Sequence, residues 1–239
     1  MLHRAFWTER RFTGLLLVLG CLLYWVAVGL VPLDAQGNFS IAMPPRAALP
    51  VIAEQTTRWQ WSMSLFLSGI VITVLGFTLL TRLLWDSEER AFSLLALITS
   101  LLGVTLFVIY LAFFVGVWPF AGQETARTGE LPGYFLPLAM WTTALFRIYT
   151  VLAFSALALY GGSLLVARVL ARWLSWTALL YGLAGLGLFV YVHDIPPAVH
   201  YLLPLVMGIL LLRRAPRPHR QRAESTPAPE PSAVLEGER

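Results

Sequence analysis

Apolar runs of about twenty residues recur along this chain, and they constrain its fold more than any other feature. An α-helix needs about 20 apolar residues to cross the ~30 Å hydrocarbon core of a bilayer. A soluble fold cannot hide several such runs, and charged residues make up only 13% of the chain against 58% for hydrophobic ones. The sequence therefore predicts an all-α fold, a polytopic transmembrane helical bundle.

Hydropathy predicts six spans, with longer polar loops over residues 32–60 and 119–133 and short connections elsewhere. Residues 134–146 are apolar and continue into the fourth span. They predict an interfacial helix, a re-entrant segment or part of one long tilted helix, and hydropathy does not choose among these. The six spans cover residues 13–31, 62–84, 92–117, 147–167, 174–192 and 197–212.

The end of the chain differs from the rest in composition. Residues 213–239 are rich in arginine at first and then in proline, glutamate, serine and alanine. Such a segment has too little apolar surface to offset the entropy lost on ordering. We expect a six-helix transmembrane domain over residues 1–212, followed by a disordered cytoplasmic tail over residues 213–239.

The positions of the arginines predict the orientation. Positively charged residues in short loops stay on the cytoplasmic side of a membrane. In the six-span map only Arg46, Arg58, Arg127 and Arg147 fall on the outer side, so both termini are expected in the cytoplasm. All basic residues are arginines, which suggests the bias of a GC-rich genome.

Tryptophan supplies a second test, because its indole prefers the membrane boundary, where the N–H stays wet. On the six-span map, Trp7, Trp85, Trp173 and Trp176 fall at inner boundaries, and Trp59, Trp61, Trp118 and Trp141 fall at or near outer ones.

Small residues at four-residue spacing predict where helices pack closely, because they let two backbones approach. Four such pairs occur inside the spans: Ala96 with Ser100, Thr99 with Gly103, Ala158 with Gly162, and Ala178 with Gly182.

Arg147 is the candidate functional residue of most interest, because apolar sequence flanks it on both sides. Charge inside a membrane is costly and by default marks a functional site. His193, Asp194 and His200 lie at the outer end of the last hairpin and form with Arg147 a candidate outer-leaflet polar site. Snorkelling to lipid phosphate or a structural pair between Arg147 and Asp194 explains the arginine equally well.

Other chemistry finds little support in the sequence. Two histidines and one aspartate lack a further identifiable ligand, so no metal or cofactor site is predicted, and no catalytic residue is either. Cys21 is the only cysteine, which excludes disulfides within the chain. The spans contain no acidic residue, which weakens any transporter that relies on a membrane carboxylate. No folded basic surface suggests nucleic acid as a partner.

One stretch resembles a known family. The run YGGSLLVARVLARWLSWTALLYGLAGLGLF from Tyr160, followed by IPPAVHYLLPLVMGILLLRR, is similar to the C-terminal half of the DUF4386-like family of bacterial membrane proteins. The resemblance covers the last third of the folded part. Where that family is expected to have proline before Trp-Leu, this chain has Ala171-Arg172. The family has no established activity, so the resemblance carries over no functional residue.

These observations favour a non-enzymatic bundle of the bacterial inner membrane that binds a lipid, a small apolar ligand or a partner membrane protein from its outer half. The longer loops and polar residues on that side are the reason. Membrane lipids are the expected partners. Another membrane protein, or a second copy of the chain in a homo-oligomer, is an alternative partner. The alternatives are a small transporter or permease component, and an enzyme acting on lipid-borne substrates through Arg147, His193, Asp194 and His200.

Overall fold

The computed structural model describes residues 2–85, 90–193 and 195–213, with side chains from Glu9 onward. Helices dominate this part of the chain, and its only β-type pairing is an isolated bridge between Leu33 and Phe39. The predicted all-α fold is confirmed. The α-helices are α1 (Leu2–Leu30), α2 (Pro45–Glu54), α3 (Thr56–Leu83), α4 (Arg90–Thr128), α5 (Phe135–Ala167), α6 (Arg172–Val192) and α7 (Leu202–Arg213), and 3-10 helices cover Ser40–Ala42 and Pro197–Tyr201.

Five of these helices, α1, α3, α4, α5 and α6, are long and apolar enough to cross a membrane. The sixth predicted span is shorter, with five residues of 3-10 helix followed by the twelve of α7. At the usual rise per residue this segment is about 28 Å long. The helices are thus compatible with a multi-pass membrane protein, and six spans is an approximate description of them.

Neighbouring helices run antiparallel, as contacts between α1 and α3 illustrate. The Ser62 hydroxyl donates to the Ala27 carbonyl at 2.8 Å near one end of the bundle. Arg82 Nε lies 2.8 Å from a carboxylate oxygen of Glu9 near the other end. We call these two ends the Trp59 end and the Arg82 end.

The last helix, α7, packs antiparallel to the first helix, α1. Tyr201 stacks on Tyr24, with ring centroids 3.8 Å apart, and further along α7 Gly208 faces Gly14. The α7 helix therefore runs towards the Arg82 end, where α1 begins. In the same way α5 packs between α4 and α6, and α3 contacts α4, so the helices pack in the order α7, α1, α3, α4, α5 and α6.

The long helices answer the question left open over residues 134–146. These residues belong to α5, which has 33 residues and is about 50 Å long. The predicted loop over residues 119–133 is wrong for its first part, because α4 continues through Pro119 to Thr128. Both helices therefore extend well beyond a 30 Å hydrocarbon core.

The predicted loop over residues 32–60 also contains regular structure. Helix α2 begins at Pro45, where the missing proline N–H costs nothing. It buries Leu49 and Ile52 and packs on α4. A Cβ at Gly122 of α4 would lie 2.6 Å from the Leu49 carbonyl oxygen, so the glycine allows this contact. Helix α2 has ten residues, too few for its hydrophobic positions to show a clear helical period in the sequence.

Small residues lie where helices approach closely, but on α5 the close contact is one residue before the predicted position. Gly182 of α6 lies against α5, and a Cβ there would be 2.5 Å from the Ala158 nitrogen. On α5 the close approach is at Gly161, next to Leu179, whereas a Cβ at Gly162 would meet nothing within 4 Å. The pairing of Ala158 with Gly162 is therefore wrong at its second member.

The tryptophans divide into two groups. Trp61 and Trp141 are 64% and 53% exposed near the Trp59 end, as expected for residues at a membrane boundary. Trp59 and Trp118 are buried inside the protein instead. The Trp59 indole N–H donates to the Phe114 carbonyl at 2.7 Å, so it needs no water.

The predicted disordered tail, apart from Arg213, lies outside the described residues.

Candidate functional site

A cavity of about 480 Å³ lies among α1, α3, α4 and α5 towards the Trp59 end. We call it the aromatic cavity, because eight of its lining residues are phenylalanine, tyrosine or tryptophan. Its aromatic residues are Tyr24, Phe66, Phe107, Tyr110, Phe113, Phe114, Trp118 and Phe146. Most of these rings are buried and pack on one another, which builds a firm apolar wall.

Ring contacts hold this wall together across helices. Phe107 and Tyr149 of α4 and α5 have centroids 4.3 Å apart, and Tyr110 and Phe146 are 5.2 Å apart. Such pairs prefer offset or tilted arrangements at these distances. The α4–α5 interface therefore carries aromatic rings at successive turns.

The open side of the cavity is bordered by exposed residues from three parts of the chain. Ile41 comes from the 3-10 helix, Thr143 and Arg147 from α5, and His193 from the end of α6. Three of them, Thr143, Arg147 and His193, make the rim polar beside an aromatic interior. That combination is typical of ligand pockets, which are mostly apolar with a few polar groups.

Arg147 lies further from the Trp59 end of α5 than the exposed Trp141 does. It is six residues from Trp141 on α5, which is about 9 Å along the helix axis. At this level α5 contacts α4 through Phe107, whose ring lies near the rings of Phe146 and Tyr149. The Arg147 side chain forms no hydrogen bond or ion pair with any described residue, and it faces the aromatic cavity.

His193 ends α6 in a left-handed conformation, with φ of 57°. Its backbone N–H donates to the Phe189 carbonyl at 2.8 Å and so caps the helix. The residue lines the same cavity as Arg147. The third member of the predicted site, Asp194, lies outside the described residues, so its pairing with Arg147 stays a prediction.

His200 occupies a different place. It is buried between Tyr149 and Phe154 of α5, with centroid distances of 5.4 and 4.4 Å. Its Nδ1 lies 3.1 Å from the Pro197 carbonyl, which it can reach as a donor, and its Nε2 has no partner in the described chain. It lines a second, smaller cavity of about 50 Å³ rather than the aromatic one. The structure thus brings Arg147 and His193 to one cavity and His200 to another.

The two cavities are stacked along the same space between helices. On α3 the aromatic cavity touches Phe66 and the small cavity touches Ile70, one turn further towards the Arg82 end. The stacked pair Tyr24 and Tyr201 lies at the boundary, since Tyr24 lines the first cavity and Tyr201 the second. An aromatic partition therefore separates two parts of one interhelical space.

A metal site finds no support in the described chain, where no three histidine, cysteine or acidic side chains lie close enough together to hold an ion. The sequence analysis missed the aromatic cavity itself. Its signal was present on α4, where Phe107, Phe114 and Trp118 recur at helical spacing on one face. In an apolar helix that face cannot be told from a lipid-facing one by sequence.

Comparisons of the chain with protein-family models, with curated proteins and with solved structures find no match. The resemblance to the DUF4386-like family stays a prediction. The arguments that follow therefore rest on the chain's own residues.

Proposed function

We propose that this protein is a multi-pass protein of the cell membrane that binds a lipid or a small apolar ligand in its aromatic cavity. In this proposal the Trp59 end faces outward and both termini are cytoplasmic. The distribution of arginines supports the orientation. The single observation that carries the binding function is the aromatic cavity with its polar rim.

Size and wall chemistry both favour a small ligand. Ligand pockets commonly measure 300–1,000 Å³, and the aromatic cavity of about 480 Å³ falls in that range. Burying apolar surface against such a wall is favourable by roughly 25 cal/mol per Å². An exposed rim at membrane depth gives a ligand from the surrounding leaflet a direct way in.

The binding test uses one substitution that fills the cavity and one that does not. Ala139 lines the cavity, whereas Ala144 is exposed on the same helix away from it. The full chain is purified in mild detergent, and co-bound molecules are measured by native mass spectrometry. We expect a co-bound lipid or apolar molecule with the wild type and with Ala144→Trp, and its loss with Ala139→Trp. Equal retention by both variants would contradict binding in this cavity.

The orientation is tested by reporter fusions. Fusions after residues 84, 168 and 214 should report the cytoplasm, and fusions after residues 36, 123 and 194 should report the outside. A periplasmic reporter that is active on the C-terminal tail would contradict the proposed topology.

A second candidate function, a small transporter or permease component, is favoured by the stacking of the two cavities. Ser100 lines the small cavity beyond the aromatic partition. The native thiol is first removed by Cys21→Ala. In that background, a Ser100→Cys thiol should react with a water-soluble maleimide if a path opens past the partition. A Thr143→Cys thiol at the rim should react whether or not such a path opens. A reactive Thr143→Cys with an inert Ser100→Cys would count against transport and leave the binding function intact.

A further inference from the structure

We propose that the ligand of the aromatic cavity is an anionic amphiphile, whose charged head binds Arg147 while its apolar chain lies against the aromatic wall. This inference rests on the proposed function and assigns its ligand class. The observations behind it are the depth of Arg147, the charges around the cavity and the geometry of the guanidinium group.

The depth of Arg147 makes its charge expensive. Placing an arginine near the centre of a bilayer is unfavourable, and the cost falls towards the boundary. Arg147 lies about 9 Å along α5 from the exposed Trp141, so part of that cost applies. A bound anion offsets the cost, because it neutralises the charge where water is scarce.

Arg147 is the charged residue among the described residues that line the cavity. His193 also lies at the rim, and no described aspartate or glutamate lines the cavity. Thr142 and Thr143 also line it, but their hydroxyls donate to carbonyls of their own helix, with Thr143 bonded to Ala139 at 2.8 Å. The described part of the lining therefore presents the positive charge of Arg147 to a ligand.

The geometry of the guanidinium selects the head group. Its planar set of donors matches the two oxygens of a phosphate or a carboxylate and binds them in a bidentate manner. The neighbouring wall of rings, including Phe107 and Phe146, suits a hydrocarbon chain. An oxyanion joined to an apolar chain satisfies both surfaces, whereas a free inorganic anion satisfies only Arg147.

Pairing with Asp194 is the competing use of the Arg147 charge. Such a pair neutralises the arginine within the chain and leaves a ligand no charge to bind. The two uses differ in a measurable way, because only a ligand contact makes affinity depend on the head group.

The experiment measures binding of three lipids to the purified full chain by native mass spectrometry: phosphatidylglycerol, a long-chain fatty acid and zwitterionic phosphatidylcholine. We expect the wild type to prefer one or both anionic lipids by roughly 10- to 100-fold, which corresponds to a hydrogen bond between charged groups. Preference for phosphatidylglycerol identifies a phosphate head, and preference for the fatty acid a carboxylate.

Variants assign the preference to the residue. Arg147→Gln should lose the anionic preference but keep binding phosphatidylcholine, and Arg147→Lys should keep part of it. Arg172→Gln removes an exposed charge at the first residue of α6, which does not line the cavity, and should change nothing. Equal binding of all three lipids by the wild type, or an unchanged preference in Arg147→Gln, would overturn the ligand class while the proposed function survives. Failure of all three to bind would count against the proposed function itself.

Discussion

Replacing Gly161 by alanine is expected to destabilise the packing of α5 on α6, whereas the same change at the adjacent Gly162 is not. A Cβ at Gly161 would meet the backbone of Leu179 and Ala178 closer than real Cβ atoms ever come. Backbone atoms cannot rotate away as a flexible side chain can, so the two helices must separate. At Gly162 a Cβ would meet nothing within 4 Å.

The size of the effect follows from two opposing contributions. Overpacking a well-packed contact costs about 1–3 kcal/mol. Alanine is the better helix former by up to about 1 kcal/mol in water, but this gain shrinks in a membrane, where separated helices stay helical. We therefore expect Gly161→Ala to lose about 1–3 kcal/mol, and Gly162→Ala to stay within about 1 kcal/mol of the wild type.

The assay is unfolding in detergent micelles by added denaturing detergent, followed by near-ultraviolet circular dichroism. Gly182→Ala serves as a second member of the destabilised group, because its Cβ would lie 2.6 Å from the Phe154 carbonyl oxygen. If Gly161→Ala unfolds at the same denaturant concentration as Gly162→Ala, the close approach of α5 and α6 is not a feature of the folded protein.

Three further predictions concern other parts of the chain. Trp59→Phe removes the hydrogen bond to the Phe114 carbonyl and should cost about 0.5–1.5 kcal/mol of unfolding free energy in detergent, and no loss would mean that the bond contributes nothing. Hydrogen bonds from the Asn38 side chain and backbone lower the pKa of Asp34, so this carboxylate stabilises the 34–38 turn above its unfolded pKa and should stop doing so as the pH falls through its folded pKa. As the pH falls through that pKa, an acid-active protease should cleave the wild type within this turn at a higher rate. The cleavage of Asp34→Asn should not show this change, because it has no carboxylate to protonate. Removal of the residues after Arg222 should leave the thermal stability in detergent nearly unchanged, and a large loss would show that the tail packs on the bundle.

Part of the candidate site could be predicted from the sequence. Arg147 stands out because it is a charge between apolar segments, and that signal needs no tertiary information. His193 and His200 look equivalent in the sequence, on either side of one short turn. The fold separates them, since the 3-10 helix Pro197–Tyr201 turns His200 inward against Phe154 while His193 stays at the rim.

The helical class of the fold was determined by the sequence alone, because a long apolar helix satisfies all its backbone hydrogen bonds within one segment. Local composition thus placed each of the six predicted spans on helical residues, to within one residue at the ends. The cavity was decided only by the tertiary structure. An apolar ring such as Phe107 is equally stable facing lipid or facing another helix as far as hydropathy can show. Which face turns inward depends on where small residues such as Gly161 and Gly182 let neighbouring backbones meet, and that pairing joins residues far apart in the chain.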